Sequence, residues 1–167
     1  AGVNAIAGNI TINAGASAIL LAPEQISSSS TLTLSGGAFD MNGNAETLGS
    51  LVYTSGTFSQ GGALLTLAGS SGAALTVANG VTISGNISMT GSGDIFYNGA
   101  GTTVTLSGNV DLGTQIHSLN VLNGPATVDL LFSGVISGTG GVTKISTGTV
   151  QFSGASPNTY SGLTTVN

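Results

Sequence analysis

Period-two alternation, interrupted every few residues by glycine or asparagine, runs through this sequence from end to end. Clear runs are Asn9-Ile10-Thr11-Ile12-Asn13, Thr31-Leu32-Thr33-Leu34, Leu64-Leu65-Thr66-Leu67, Ala74-Leu75-Thr76-Val77 and Val81-Thr82-Ile83. Others are Thr103-Val104-Thr105-Leu106, Gln115 to Leu122, Thr127-Val128-Asp129-Leu130 and Thr149-Val150-Gln151-Phe152. Each sets Ile, Leu, Val or Phe on one face and Thr, Ser or Asn on the other, which is the signature of a half-buried strand. β-branched residues favour the same state. Between the runs stand Asn13-Ala14-Gly15, Ser35-Gly36-Gly37, Gln60-Gly61-Gly62, Asn79-Gly80, Asn98-Gly99, Ser107-Gly108-Asn109, Asn123-Gly124 and Gly138 to Gly141. Glycine and asparagine accept the positive φ that sharp corners need. No segment reads as a helix. Ala22-Pro23-Glu24-Gln25-Ile26 holds the only helix-compatible residues and is too short, so it reads as a loop or a single turn.

Composition narrows what such a chain can do. Gly, Ser, Thr and Asn make 85 of 167 residues, while charged residues number seven, with Lys144 the only cation among Lys and Arg. A nucleic-acid binder must displace counterions with Lys and Arg, so that class is excluded. There is no Cys for a zinc or disulfide framework. Disorder is also disfavoured, because 40% of residues are hydrophobic and the mean hydropathy is positive. The longest apolar stretch, Ala18 to Ala22, is far below the roughly 20 residues of a membrane span, so this segment does not insert in a membrane. No secretory leader is visible, and a start at Ala1 reads as a processed product or part of something longer.

The strands echo one another. Leu32-Thr33-Leu34-Ser35-Gly36, Leu65-Thr66-Leu67-Ala68-Gly69, Val104-Thr105-Leu106-Ser107-Gly108 and Val150-Gln151-Phe152-Ser153-Gly154 share one pattern, at offsets of 33, 39 and 46 residues. Repeats of this order point to solenoids or propellers, and aromatic content of only 5% argues against propeller blades. An antiparallel β-sandwich competes with a single-chain β-solenoid. Short strands, small corner residues and few large aromatics favour the all-β solenoid, one unit over residues 1–167. With rungs of roughly 20 residues at ~4.8 Å strand spacing, its length would be about 40 Å.

Residues 137–167 are the most specific. They read Ser137-Gly138-Thr139-Gly140-Gly141-Val142-Thr143-Lys144, Gly148-Thr149-Val150-Gln151-Phe152-Ser153-Gly154, Asn158-Thr159-Tyr160-Ser161-Gly162 and Thr164-Thr165-Val166-Asn167. This resembles the autotransporter-associated β-strand repeat, also called the passenger-associated transport repeat. That family runs Gly-Gly-Leu-Thr-Lys, Gly-Thr-Leu to Leu-Ser-Gly, Asn-Thr-Tyr-Ser/Thr-Gly and Thr-Thr-Val/Ile-Asn. Gly140, Gly141, Thr143, Lys144, Gly148, Ser153, Gly154, Asn158, Thr159, Tyr160, Gly162, Thr164 and Val166 fall on it. Ile145-Ser146-Thr147, Ala155-Ser156-Pro157 and Leu163 depart from it. A weaker likeness covers Leu34 to Leu51. The resemblance implies a right-handed parallel β-helix on the outside of a bacterium, associated with passenger export and without an active site.

The chemistry-bearing residues are few. Glu24, Asp40, Glu46, Asp94, Asp111 and Asp129 are scattered, with no Asp-x-Asp or Asp-Asp pair for the two-carboxylate work of a glycosidase. They read as solvated groups and corner hydrogen-bond acceptors. His117 reads as a lone exposed histidine on the polar face with Gln115, without partner ligands for a metal. Gly91-Ser92-Gly93-Asp94 is a single approach to a calcium-binding repeat, so no metal or cofactor is expected. Asn9-Ile10-Thr11 and Asn86-Ile87-Ser88 match the glycosylation triplet by chance. Tyr160 is expected to pack across a rung with Lys144 snorkelling beside it. No catalytic, cofactor or metal residue is assigned.

No end cap is recognisable, and solenoid ends expose strand edges. The expected function is a non-catalytic extracellular module of a surface fibre, stalk or passenger. Its partners are like units, head to tail, as a homopolymer or as tandem repeats of a longer chain, with a host or biofilm surface as a further partner. Ala1, Gly2, Val166 and Asn167 are the candidate end-to-end contact. The alternatives are an adhesin that binds a glycan or host protein through a polar face and, last, a polysaccharide lyase or hydrolase.

Overall fold

A computed structural model describes residues 4–167 as a parallel β-solenoid without helix. Every strand pairing is parallel, so the sandwich is excluded. The chain winds around three faces. The first holds Ile10–Asn13, Thr31–Asp40, Ser50–Ser59, Ala73–Val77, Asp94–Tyr97, Ile116–Val121, Gly141–Ile145 and Thr164–Val166, with Ser17–Ile19 beside the second of these. The second holds Thr82–Ile83, Val104–Leu106, Leu130–Phe132 and Val150–Phe152. The third holds Glu46–Leu48, Leu65–Leu67, Ile87–Met89, Val110–Asp111 and Ile136–Ser137. In the early rungs one ten-residue strand bends to serve two faces. Gly36 and Gly37 make that bend in Thr31–Asp40, where the register shifts.

Parallel register stacks like on like. One interior column of the first face runs Ile10, Leu32, Leu51, Leu75, Ile95, Leu119, Lys144, Val166, with steps of 19–25 residues. Seven such steps at ~4.8 Å give a rise of about 34 Å. The next column runs Ile12, Leu34, Tyr53, Val77, Tyr97, Val121. The second face stacks Ile83, Leu106, Phe132 and Phe152, the last two rings 5.5 Å apart. These columns fill the interior with aliphatic and a few aromatic side chains, and burying one large apolar side chain contributes about 1.5–3 kcal/mol. Tyr53 and Tyr97 are inside, so they form no aromatic row on the surface.

The corners are built for close approach. Ile83-Ser84-Gly85, Leu106-Ser107-Gly108 and Phe132-Ser133-Gly134 turn from the second face to the third in successive rungs. A methyl on Gly108 would collide with the carbonyl of Gly85, and one on Gly134 with that of Gly108. Asparagines beside them add side-chain rungs: Asn86 Oδ1 accepts from Asn109 N–H (3.0 Å) and Asn109 Oδ1 from Val135 N–H (2.9 Å). Asn9 Oδ1 likewise accepts from Thr31 N–H at 2.9 Å, so both glycosylation triplets place their asparagine in a structural bridge.

The echo of Leu-Thr-Leu-Ser-Gly does not mark the rung. Its copies lie on different faces, at Thr31–Asp40, Leu65–Leu67, Val104–Leu106 and Val150–Phe152. The 46-residue offset spans two rungs of the second face, from Val104 through Leu130 to Val150. Each corner asks for the same thing, an inward aliphatic followed by small residues, so faces imitate one another. The run Thr127 to Leu130 also starts early, since the strand there is Leu130–Phe132.

Candidate functional site

The alternation that makes the core also carries ionisable side chains into it. In Glu46–Leu48 the inward residues are Glu46 and Leu48, and Glu46 stands in register with Leu65. In Ile116–Val121 they are His117, Leu119 and Val121. In Gly141–Ile145 Lys144 occupies the aliphatic column between Leu119 and Val166. Asp129 sits just before Leu130 and is fully buried.

His117 corrects the sequence expectation. It is not an exposed surface histidine: its exposure is 0%, while its neighbour Ile116 is 60% exposed. Its phase is that of Leu119 and Val121, which the strand must turn inward. Nδ1 lies 2.7 Å from the carbonyl of Gly93 and Nε2 3.0 Å from that of Leu112.

The carboxylates likewise divide differently from the expectation of solvated groups. Glu46 and Asp129 are 1% and 0% exposed. Glu46 accepts from Gln25 N–H (2.9 Å) and Ile26 N–H (3.1 Å), one rung below. Burial, the largest influence, raises the Glu46 carboxyl above the usual 4.5, and the nearby charge of Glu24 adds to the rise. The backbone N–H groups of Gln25, Ile26 and Thr47 oppose it. Asp129 accepts from Gly124 N–H and from Thr149 N–H of the next rung, both at 2.8 Å. Asp94 accepts from Ser118 N–H at 2.9 Å, again across rungs. The corner role holds for Asp40 and Asp111, which accept from Asn42 N–H (2.8 Å) and Gly113 N–H (3.0 Å). Glu24 accepts from the Thr47 hydroxyl at 3.0 Å. Each of the six acids therefore has a donor in the fold, and five bind main-chain N–H groups. Among the described residues no three His, Asp or Glu side chains gather to hold a metal ion.

No protein-family model, curated protein or solved structure matches this chain.

The motif at 137–167 forms the last rungs. Thr143 pairs with Thr165, Val142 with Thr164, and Lys144 with Val166. Lys144 turns its ammonium out of the column to donate to the carbonyls of Ile145 (2.9 Å) and Ser146 (2.6 Å). Burial lowers its pKa from 10.5, and the Asp129 charge partly offsets this. Tyr160 packs, half-buried, against the core, and its hydroxyl shares a 2.7 Å hydrogen bond with that of Thr164. Asn158 Oδ1 accepts from Ile136 N–H (2.9 Å), Thr159 N–H donates to Ile136 O (2.8 Å), and Ser153 N–H donates to Phe132 O (2.8 Å). Gly162 lies so close over Gly140 that no side chain fits between them, and Gly141, Gly148 and Gly154 also face neighbouring main chain.

A cavity of about 330 Å³ opens at this end, lined by Lys144, Ser146, Gly148, Val150, Phe152, Thr164, Val166 and Asn167. Phe152 is 43% and Val166 75% exposed, and Val150–Phe152 and Thr164–Val166 each pair on one side only. Of the candidate end-to-end residues, Val166 and Asn167 thus border the cavity, and Ala1 and Gly2 lie outside the described residues. A second groove, of about 410 Å³, runs along Ser17, Ile19, Ala38, Asp40, Thr57 and Ser59 on the outer surface of the first rungs.

Proposed function

We propose that this chain is a non-catalytic structural module of an extracellular bacterial fibre, stalk or autotransporter-type passenger. Like rungs continue it in line, either along a longer chain or from another copy stacked head to tail. One observation carries the reading: five of the six acids, and His117, bind the main chain of their own or the neighbouring rung. Glu46, Asp94 and Asp129 each accept backbone N–H groups from an adjacent rung. A carboxylate used this way stiffens the stack and is withdrawn from substrate. The resemblance at 137–167 supports the extracellular setting. The unpaired edges of Val150–Phe152 and Thr164–Val166 offer the hydrogen-bonding groups that strand addition uses. Low charge leaves little repulsion against such stacking, and a heterologous contact of this kind grows open filaments.

Negative-stain electron microscopy of the purified chain over a concentration series tests the head-to-tail form. Filaments that lengthen with concentration, with an axial repeat of about 35–40 Å, are expected. Isolated particles at every concentration would remove stacking between separate copies. Turnover of a polysaccharide by the same preparation would overturn the non-catalytic reading.

A further inference from the structure

The geometry around His117 points to a proton-operated clasp. We propose that the folded chain holds this ring doubly protonated, tying two rungs together, and that loss of one proton loosens them. Both ring nitrogens face main-chain carbonyls, Nδ1 that of Gly93 at 2.7 Å and Nε2 that of Leu112 at 3.0 Å. A carbonyl oxygen only accepts, and a neutral imidazole carries a single N–H. Either neutral tautomer would therefore set a nitrogen lone pair against a carbonyl oxygen in a site with no solvent exposure. The imidazolium donates to both.

The two carbonyls belong to different parts of the stack. Gly93 precedes the first-face strand of the rung below, and Leu112 follows the third-face strand that leads into the histidine's own rung. Neither residue lies within a strand, and the ring adds its hydrogen bonds to the inter-rung backbone bonds already there, Gly93 N–H to Gly69 O (2.8 Å) and Leu112 N–H to Ser137 O (2.9 Å). The clasp closes the corner between third and first faces.

The charged groups on the neighbouring elements engage other partners than the ring. From the strand below, Asp94 adjoins Gly93 and directs its carboxylate to Ser118 N–H. From the third face, Asp111 adjoins Leu112 and caps Gly113 N–H. The strand above sets Val142 over His117, and its lysine, Lys144, lies over Leu119 instead. The His117 strand itself carries no other ionisable group. Histidine is the side chain whose charge ordinarily changes between pH 5 and 8, so those two pH values bracket the test of the clasp.

His117 is the only histidine, which makes the test unambiguous. Nitrogen-15 NMR of histidine-labelled protein should show both ring nitrogens protonated at pH 5 and one proton lost by pH 8. In parallel, the wild type should melt about 3–10 °C lower at pH 8 than at pH 5, beyond any change seen in His117→Gln. A folded chain whose ring is neutral at pH 5 overturns the proposal. So does a ring that keeps both protons to pH 8, or a melting profile that His117→Gln reproduces. The NMR arm stands even where the variant folds poorly. It is also independent of stacking between copies, so failure of the fibre reading leaves it intact.

Discussion

Replacing Gly108 by alanine adds one methyl group at a corner where it would meet the main chain of the neighbouring rung. Gly108 has no positive φ, so the substitution leaves backbone preference aside and isolates contact. The new methyl would overlap the main chain of Gly85 and Ser84. Relief requires the two rungs to part locally, and they are joined there by Ser107 N–H to Ile83 O (2.9 Å) and Gly108 N–H to the same oxygen (3.4 Å). Overpacking costs about 1–3 kcal/mol, and weakening one or two backbone bonds adds about 0.5–1.5 kcal/mol each. The total is about 2–5 kcal/mol, or a fall in Tm of about 5–15 °C for a chain of this size. Two companions give the scale. Gly154→Ala meets the carbonyl of Gly134 at 3.1 Å in a terminal rung that can yield, so its loss should be under half as large. Gly8→Ala meets nothing within 4 Å and needs no positive φ, so it should leave stability unchanged or raise it by about 0.4–1 kcal/mol. Thermal melts followed by circular dichroism give the order. If Gly108→Ala melts with the wild type, or all three variants fall together, the corner is not the close-packed stack described above.

Two further outcomes follow from the buried carboxylates. Asp129→Asn leaves one oxygen to serve Gly124 N–H and Thr149 N–H, so one donor loses its partner and the chain should lose about 1–3 kcal/mol in urea unfolding. Burial raises the Glu46 carboxyl above 4.5, so the folded chain binds its proton more tightly than the unfolded chain does. Its contribution to stability is greatest below about pH 4.5 and is lost as pH rises through the folded value. Glu46→Gln should therefore flatten the stability profile over that window, and an unchanged slope would show that Glu46 is not its source.

The strands and their solenoid stacking were legible because both follow from period two and small corners. The interior charges were legible too, had phase been weighed above residue type. Leu119 and Val121 fix the inward set of their strand, and His117 is two residues before Leu119. Leu48 does the same for Glu46, and Val142 for Lys144. A rule that polar means outward overrode the period. What phase cannot show is the partner, because Gly93 reaches His117 only through the stacking of rungs, 24 residues away in sequence, and Leu112 only through the fold of the corner 5 residues away. Rung length was hidden for a related reason. Corners on all three faces use the same aliphatic-Ser-Gly wording, so repeats in the text do not coincide with repeats in space. Asp129 escaped both rules, since it lies at a corner, just outside the strand that begins at Leu130.

The central claim is that the acids are built into the backbone framework. Amide hydrogen exchange measured residue by residue tests it most directly. Gln25, Gly124 and Thr149 lie outside the strands, yet each donates to a buried carboxylate at 2.8–2.9 Å. Their amides should exchange as slowly as those of neighbouring strands, such as Val104–Leu106, and Asp129→Asn should release Gly124 or Thr149 alone. Exchange of these three amides at the rate of an open loop would contradict the account, because the carboxylates would then be free for other work.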